Sequence, residues 1–337
     1  MATIKEIALA CGVSAATVSK ALNNASDVGA DTARRVKDAA RSMGYFPNAA
    51  ARALKTNRSL NIGLLFADAT NSGLAHEFFS LVLNSLKEEA ERAGYDVTFI
   101  SRDIGHTGMS YLEHCRYRKC DGVVIATVLD YADPQVIELA QSDIPLVAID
   151  YVFDNRGSVL SDNVQGMRDL VRYVHSMGHK KIAFIHGDRT AVTKMRLASF
   201  HRTCEELGLK IPDEYIVEGT FHEPSASARA TRKLLSLPDR PSCILFPDDY
   251  SFLGGMNEIE SAGLSIPEDI SVCGFDGIHL SQVLRPRLST VRQKTERLGA
   301  EASKMLVEAI EAGKTFLPHR LVVPCELIVG ESVRRIL

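Results

Sequence analysis

Residues 3–23 read TIKEIALACGVSAATVSKALN, and this stretch decides the architecture of the amino-terminal region. Ile4, Ile7, Ala8 and Cys11 recur at helical spacing. Thr3 followed by Glu6 is a capping-box pattern, and Gly12 is a helix stop. Val13 follows as an apolar turn residue. Ser14 caps a second segment, Ala15 to Leu22, with Val18, Ala21 and Leu22 on one face and Asn23-Asn24 at its end. A third segment begins near Asp31-Thr32, turns Ala33, Val36, Ala39, Ala40 and Met43 inward, and ends at Gly44. Helix, glycine-containing turn, short helix and third helix make a helix-turn-helix pattern. The open face of the second helix carries Ser14, Ala15, Ala16, Thr17, Ser19, Lys20 and Asn23. Small residues let a helix lie deep in a major groove, where hydroxyls and a lysine reach phosphates and base edges. An ordinary three-helix unit with a solvated face has the same periodicity, so spacing alone leaves both readings open.

Charge sharpens the contrast between this head and the rest. Residues 1–60 hold nine Lys/Arg against four Asp/Glu, while the whole 337-residue chain carries −3. A basic head on an acidic body suits a polyanion-binding head, because neutralised phosphates release condensed counterions. At 45% apolar content the chain is long enough for two or three domains. Its seven cysteines are odd in number and lack metal-ligand spacing, which points to reduced thiols and no bound metal or cofactor. No apolar run is long enough for a signal peptide or a membrane span, so a cytoplasmic, nucleoid-associated protein is expected.

Beyond Ser59 the rhythm changes. Asn61–Asp68 reads as a buried strand, followed by a helix near His76–Ala93 and strands at Tyr95–Ile100, Gly122–Ala126 and Pro145–Asp150. The pattern then repeats: strand 181–186, helix 196–207, strand 215–218, helix 225–236, strand 243–246, helix 250–262 and strand 272–275. Apolar strands alternating with helices imply an α/β body of two doubly wound parallel-sheet subdomains. Ligands in such folds sit beyond the carboxyl ends of the strands. Asp68, Asp150, Asp248, Asp249 and Asp276 occupy such ends, and Arg196 lies at a facing helix start. Acids and an arginine suit a polyhydroxylated ligand. Asp249 can equally cap the helix that follows it, and capping is also the reading for Asp162-Asn163. No phosphate loop, dinucleotide fingerprint, nucleophile elbow or zinc-protease motif is present, so an enzyme is not expected.

Residues 3–23, together with Thr32-Ala-Arg-Arg-Val, Gly44-Tyr-Phe-Pro-Asn48 and Ala49–Leu54, resemble the lactose/galactose repressor (LacI/GalR) family across the whole head. The body resembles the periplasmic-binding-protein-like sensor of that family over 60–330. Its markers include Gly178-His179, Arg196-Leu197, Asp248-Asp249, Ile266-Pro267 and Gly274-Phe275-Asp276. The resemblance implies a helix-turn-helix domain at 1–47, a hinge helix and linker at 48–59, and an effector-binding and dimerisation domain at 60–337. Within the last, one subdomain covers about 60–160 and 291–320, the other about 161–290 and 321–337. It implies a repressor acting as a homodimer, or a dimer of dimers, on a pseudo-palindromic double-stranded operator. The effector expected is a sugar or sugar phosphate.

The DNA-contacting set expected is Thr3, Ser14, Ala15, Ala16, Thr17, Ser19, Lys20, Asn23, Tyr45, Arg52, Leu54 and Lys55. By the resemblance, Leu54 is an intercalating wedge on a hinge too short to be helical alone in water. The effector set is Asp68, His76, Phe79, Asp150, Arg196, Phe221, Asp248 and Asp276, with Phe221 as an aromatic wall. Two departures stand out. Ala15 and Ala16 replace the polar or larger residues of many relatives, which shifts readout toward thymine methyls, Lys20 and DNA shape. The loop Asn71–Phe79 is longer than the usual Asn-Pro-Phe-Phe and brings His76, so effector identity does not transfer.

Overall fold

A computed structural model describes residues 2–23, 25, 27–46, 58–67, 73–128 and 130–336. The hinge residues Arg52, Leu54 and Lys55, and also Asp68, lie outside the described residues. The chain divides into two compact units, Met1–Leu60 and Asn61–Leu337.

In the head, α1 (Ile4–Cys11) opens with the expected capping box. The Thr3 side chain accepts from the Glu6 amide and the Glu6 carboxylate accepts from the Thr3 amide. Gly12 ends α1 in the left-handed region at φ 63°, a conformation costly for a residue with a Cβ. In α2 (Ala15–Leu22) the Ser14 hydroxyl accepts from the Thr17 amide at 3.0 Å. The third helix, α3 (Ala30–Ser42), begins one residue before the expected Asp31, which sits in its first turn. Ile7, Ala8, Val18, Ala21, Val36 and Ala40 form the core. Ala33 and Ala39 are only partly buried against it. Met43, expected inward, is exposed, because α3 stops at Ser42 and Met43 leaves the buried stripe as its C-cap.

The body alternates strands and helices. Its first part runs β1 (Asn61–Phe66), α4 (Glu77–Arg92), β2 (Asp96–Ile100), α5 (Tyr111–Tyr117), β3 (Gly122–Thr127), α6 (Pro134–Gln141), β4 (Leu146–Ile149) and β5 (Gly157–Ser161). The second part runs α7 (Asn163–Ser176), β6 (Ile182–His186), α8 (Ala191–Glu206), β7 (Ile216–Glu218), α9 (Pro224–Leu235), β8 (Cys243–Leu245), α10 (Asp249–Ser261), β9 (Ser271–Asp276), α11 (His279–Val283) and β10 (Ser289–Arg292). Then come α12 (Thr295–Ala312), β11 (Arg320–Val323) and β12 (Glu326–Ile328).

The strands form two sheets ordered β11-β5-β4-β3-β1-β2 and β12-β10-β9-β8-β6-β7. All pairings are parallel except β10 with β12. The two sheets repeat one winding order, β2-β1-β3-β4-β5 matching β7-β6-β8-β9-β10. The chain passes from one sheet to the other between Ser161 and Asn163, between Arg292 and Thr295, and between Val323 and Glu326. Strands such as β3 and β9 are buried almost throughout, as helices on both faces require. Residues that follow strands of both sheets line one cavity.

Candidate effector site and DNA-reading face

On the head, Thr3, Ser14, Ala15, Ala16, Lys20 and Asn23 are exposed, while Thr17, Ser19 and Tyr45 are partly buried. The two alanines stand on the first turn of α2 with no polar atom to satisfy. Lys20 is ion-paired with Asp27, whose carboxyl is held below its usual range by the Lys20 hydrogen bond. The Asn23 amide donates to the Ser19 carbonyl at 2.7 Å. The Lys20 ammonium is thus available to DNA only by exchanging one oxyanion for another, at little cost for an exposed pair.

In the body, a cavity of about 300 Å³ is lined from both sheets. Phe79 comes from α4, Tyr131 from the loop after β3, and Asp150 and Tyr151 from the end of β4. Asp188 and Thr190 follow β6, Arg196 stands on α8, and Phe221 and His222 follow β7. Asp276 ends β9 and Gln293 follows β10. Tyr131 and Tyr151 stack face to face with centroids 3.8 Å apart and planes 6° from parallel, so each ring covers one face of the other. Phe221 packs directly over Gly187. A Cβ at Gly187 would fall 2.3 Å from the Phe221 ring, so the glycine makes room for this wall.

Arg196 is buried at 3% exposure and is fixed on three sides. Its Nε donates to Asn163 Oδ1 at 2.7 Å and its Nη1 to the Pro247 carbonyl at 2.8 Å. Its guanidinium carbon lies 3.5 Å from the Phe275 ring centroid. Those bonds leave Nη2 as the nitrogen without a protein acceptor among the described residues. Burial lowers the Arg196 pKa, opposed mainly by the Asp276 carboxylate.

The acids feel the same burial. Asp276 accepts from Gln293 Nε2 at 2.7 Å, and desolvation with repulsion from Asp248 pushes its pKa up to about 7. Asp150 accepts from the Ser161 amide at 2.7 Å, and desolvation raises its pKa as well. Both backbones are left-handed, at φ 53° for Asp150 and 102° for Asp276. Such strain in non-glycine residues is characteristic of positions held for function.

Of the effector residues expected from sequence, Phe79, Asp150, Arg196, Phe221 and Asp276 line this cavity. Asp248 and His76 do not. Asp248 is fully buried as the N-cap of α10, accepting from the Ser251 amide and hydroxyl and from the His222 amide. Capping thus falls to Asp248. Asp249 instead accepts from the Thr290 hydroxyl at 2.6 Å and the Ile278 amide at 3.0 Å. His76 is buried beside the cavity against His222, Phe79 and Tyr250. Asp162 caps α7, as its sequence context suggests.

Tyr131, Tyr151, Asp188, Thr190, His222 and Gln293 line the cavity without having been singled out. Asp188 obeys the strand-end rule that finds Asp150 and Asp276, since it lies two residues past β6. Tyr131 sits on an irregular loop and leaves no periodic trace.

Residues 3–48 match the bacterial regulatory proteins of the lacI family, and residues 171–333 match the periplasmic binding protein-like domain. An HTH-type transcriptional repressor PurR from Pasteurella multocida is 31% identical, with 99% of each chain covered. The chain belongs to the lacI family. A probable HTH-type transcriptional repressor ExuR from Bacillus subtilis is 30% identical over 100% of this chain and 99% of its own. Among solved structures, a Lac repressor dimer bound to operator and the anti-inducer ONPF superposes with a TM-score of 0.81 at 25% identity, covering 99% of both chains. A transcriptional regulator CelR–cellobiose complex gives 0.70 at 25% identity, covering 98% of this chain and 100% of that one. As a lacI-family member the protein is a DNA-binding transcriptional repressor under small-molecule control, and not an enzyme.

Proposed function

We propose that this repressor responds to an uncharged, unphosphorylated sugar held in the body cavity. The cavity's charge carries the reading. Among the described lining residues, Asp150, Asp188 and Asp276 face a single cation, Arg196. A phosphoryl group would bring negative charge beside Asp150 and Asp276, whose burial already disfavours their own ionised forms. A neutral sugar offers hydroxyl donors to the acids and an acceptor to the arginine, and an apolar face to the stacked Tyr131–Tyr151 pair that lines the cavity. The sugar-phosphate alternative raised by sequence is therefore set aside. The cellobiose-bound neighbour supports an unphosphorylated ligand for this fold.

Family members act on operators as dimers, and we infer two heads reading a pseudo-palindrome with α2 in successive major grooves. The exposed Leu74 and Phe99 line one groove between α4 and β2, and we assign this face to the second copy.

A thermal-shift comparison tests the effector class. Each neutral sugar is run beside its phosphate ester, and a stabilising neutral sugar with an inert ester is expected. Stabilisation by esters alone would overturn the reading. Asp276 adds a pH dependence. With its carboxyl raised to about 7, the empty site is largely protonated at pH 6. A ligand hydroxyl donates to the ionised form, so binding releases a proton. Affinity therefore rises with pH through 7, by at most about tenfold per unit, and levels off above it. Affinity that weakens from pH 6 to 8 would remove Asp276 from hydroxyl recognition.

A further inference from the structure

Two neighbouring side chains at the start of α4 reach across the cleft to the other sheet. Glu77 Oε1 accepts from the His279 amide at 2.6 Å, tying α4 to the first residue of α11. His76 packs its ring on that of His222, with centroids 4.0 Å apart, and lies 5.5 Å from Tyr250 on α10. Phe79, one turn on, meets the same His222 ring at 5.2 Å. His222 is itself held from below. Its amide donates to Asp248 Oδ2 at 2.9 Å, its backbone is left-handed at φ 57°, and its side chain lines the effector cavity.

We propose that His76 and Glu77 form a clasp across the mouth of the cleft, with His222 as the residue that senses both the cavity and the opposite lobe. Two features argue for a device of this kind over incidental packing. The hydrogen bond is charge-assisted, short and formed by a carboxylate with a backbone amide, so it needs α4 and α11 in one relative position. The ring contacts join the same two lobes at a second point, through a residue whose own backbone is strained and pinned. His76 and Glu77 do not line the cavity, so they act as positioning residues for the effector response. They set how readily the lobes part, and through it how strongly ligand binding is coupled to lobe movement. The clasp does not depend on the effector being a sugar, and no ligand is needed to test it.

Hydrogen exchange on the full-length, ligand-free chain provides that test. In Glu77→Ala, exchange at the His279 amide is expected to accelerate about tenfold, and the Phe221 and His222 amides, bonded only within their own lobe, should accelerate with it. Glu77→Gln keeps an acceptor and should restore most of the protection at both places. His76→Ala should loosen 221–222, and His76→Phe, which keeps a ring there, should not. Unchanged exchange in β3 and β8 certifies the fold. Acceleration confined to His279 would reduce the contact to a local hydrogen bond and overturn the clasp, as would no acceleration at all.

Discussion

Replacing Arg196 by alanine is expected to abolish the effector response while operator binding persists. The guanidinium is the one cation among the described lining residues, and its Nη2 is the donor left for a ligand oxygen. Removing it takes away that donor and leaves Asp150 and Asp276 without the charge that offsets their burial. Loss of such a charge-assisted contact in a desolvated site should weaken effector binding by about a hundredfold or more, near 3 kcal/mol. The body should also lose stability, because Asn163 Oδ1 and the Pro247 carbonyl are left without their donor, at about 1–3 kcal/mol each. Arg196→Lys separates these effects, since it keeps a cation but not the planar fork that serves two acceptors at once. Gel shifts with and without a stabilising sugar, alongside melting curves, measure both. A normal response in Arg196→Ala would exclude the arginine from recognition.

An acid at position 16 should have the opposite profile. Ala16 is exposed on the first turn of α2, where a negative charge complements the helix N-terminus. Ala16→Asp should therefore leave the head folded, or slightly more stable. On DNA the same carboxylate would meet phosphates and base acceptors, and like-charge juxtaposition costs several kcal/mol. Operator affinity should fall by about a hundredfold or more, with sugar binding to the free protein unchanged. Retained operator affinity in a folded Ala16→Asp protein would mean that α2 does not enter the groove.

The head was legible because its signals are local. Thr3 with Glu6, Gly12 and Ser14 each satisfy or end a helix within four residues, and the boundaries of α1 and α2 follow directly. The body was legible where long apolar runs alternate with helices. It was not legible at β10, β11 and β12, which are three or four residues long and owe their existence to pairing. Thr290 meets Ile328 and Arg320 meets Ser158 across large sequence separations, and no periodicity announces such partners. The helix α7 was a different case. Met167, Leu170, Val171 and Val174 are all buried at helical spacing, and this pattern could have been read.

At the site, the strand-end rule points to Asp150 and Asp276, which close inner strands of the two sheets and line the cavity. At Asp248-Asp249 the same rule does not separate two adjacent acids, because neighbours at one strand end point in different directions. Only the backbone, extended at Asp248 with φ −158°, decides which of them turns back to cap α10. The loop position of His76 points to the site, whereas the fold buries its ring against His222. The stack of Tyr131 on Tyr151 leaves no local sequence signal because it joins two loops that follow different strands.

Repression by this protein requires the amino-terminal three-helix unit to recognise a particular duplex. Selection of bound duplexes from a random pool by the purified full-length chain tests it most directly. A two-fold symmetric site should be enriched, and its affinity should drop steeply, on the order of a thousandfold, between 50 and 200 mM salt. A chain that retained no duplex above bulk competitor, with or without sugars, would contradict it.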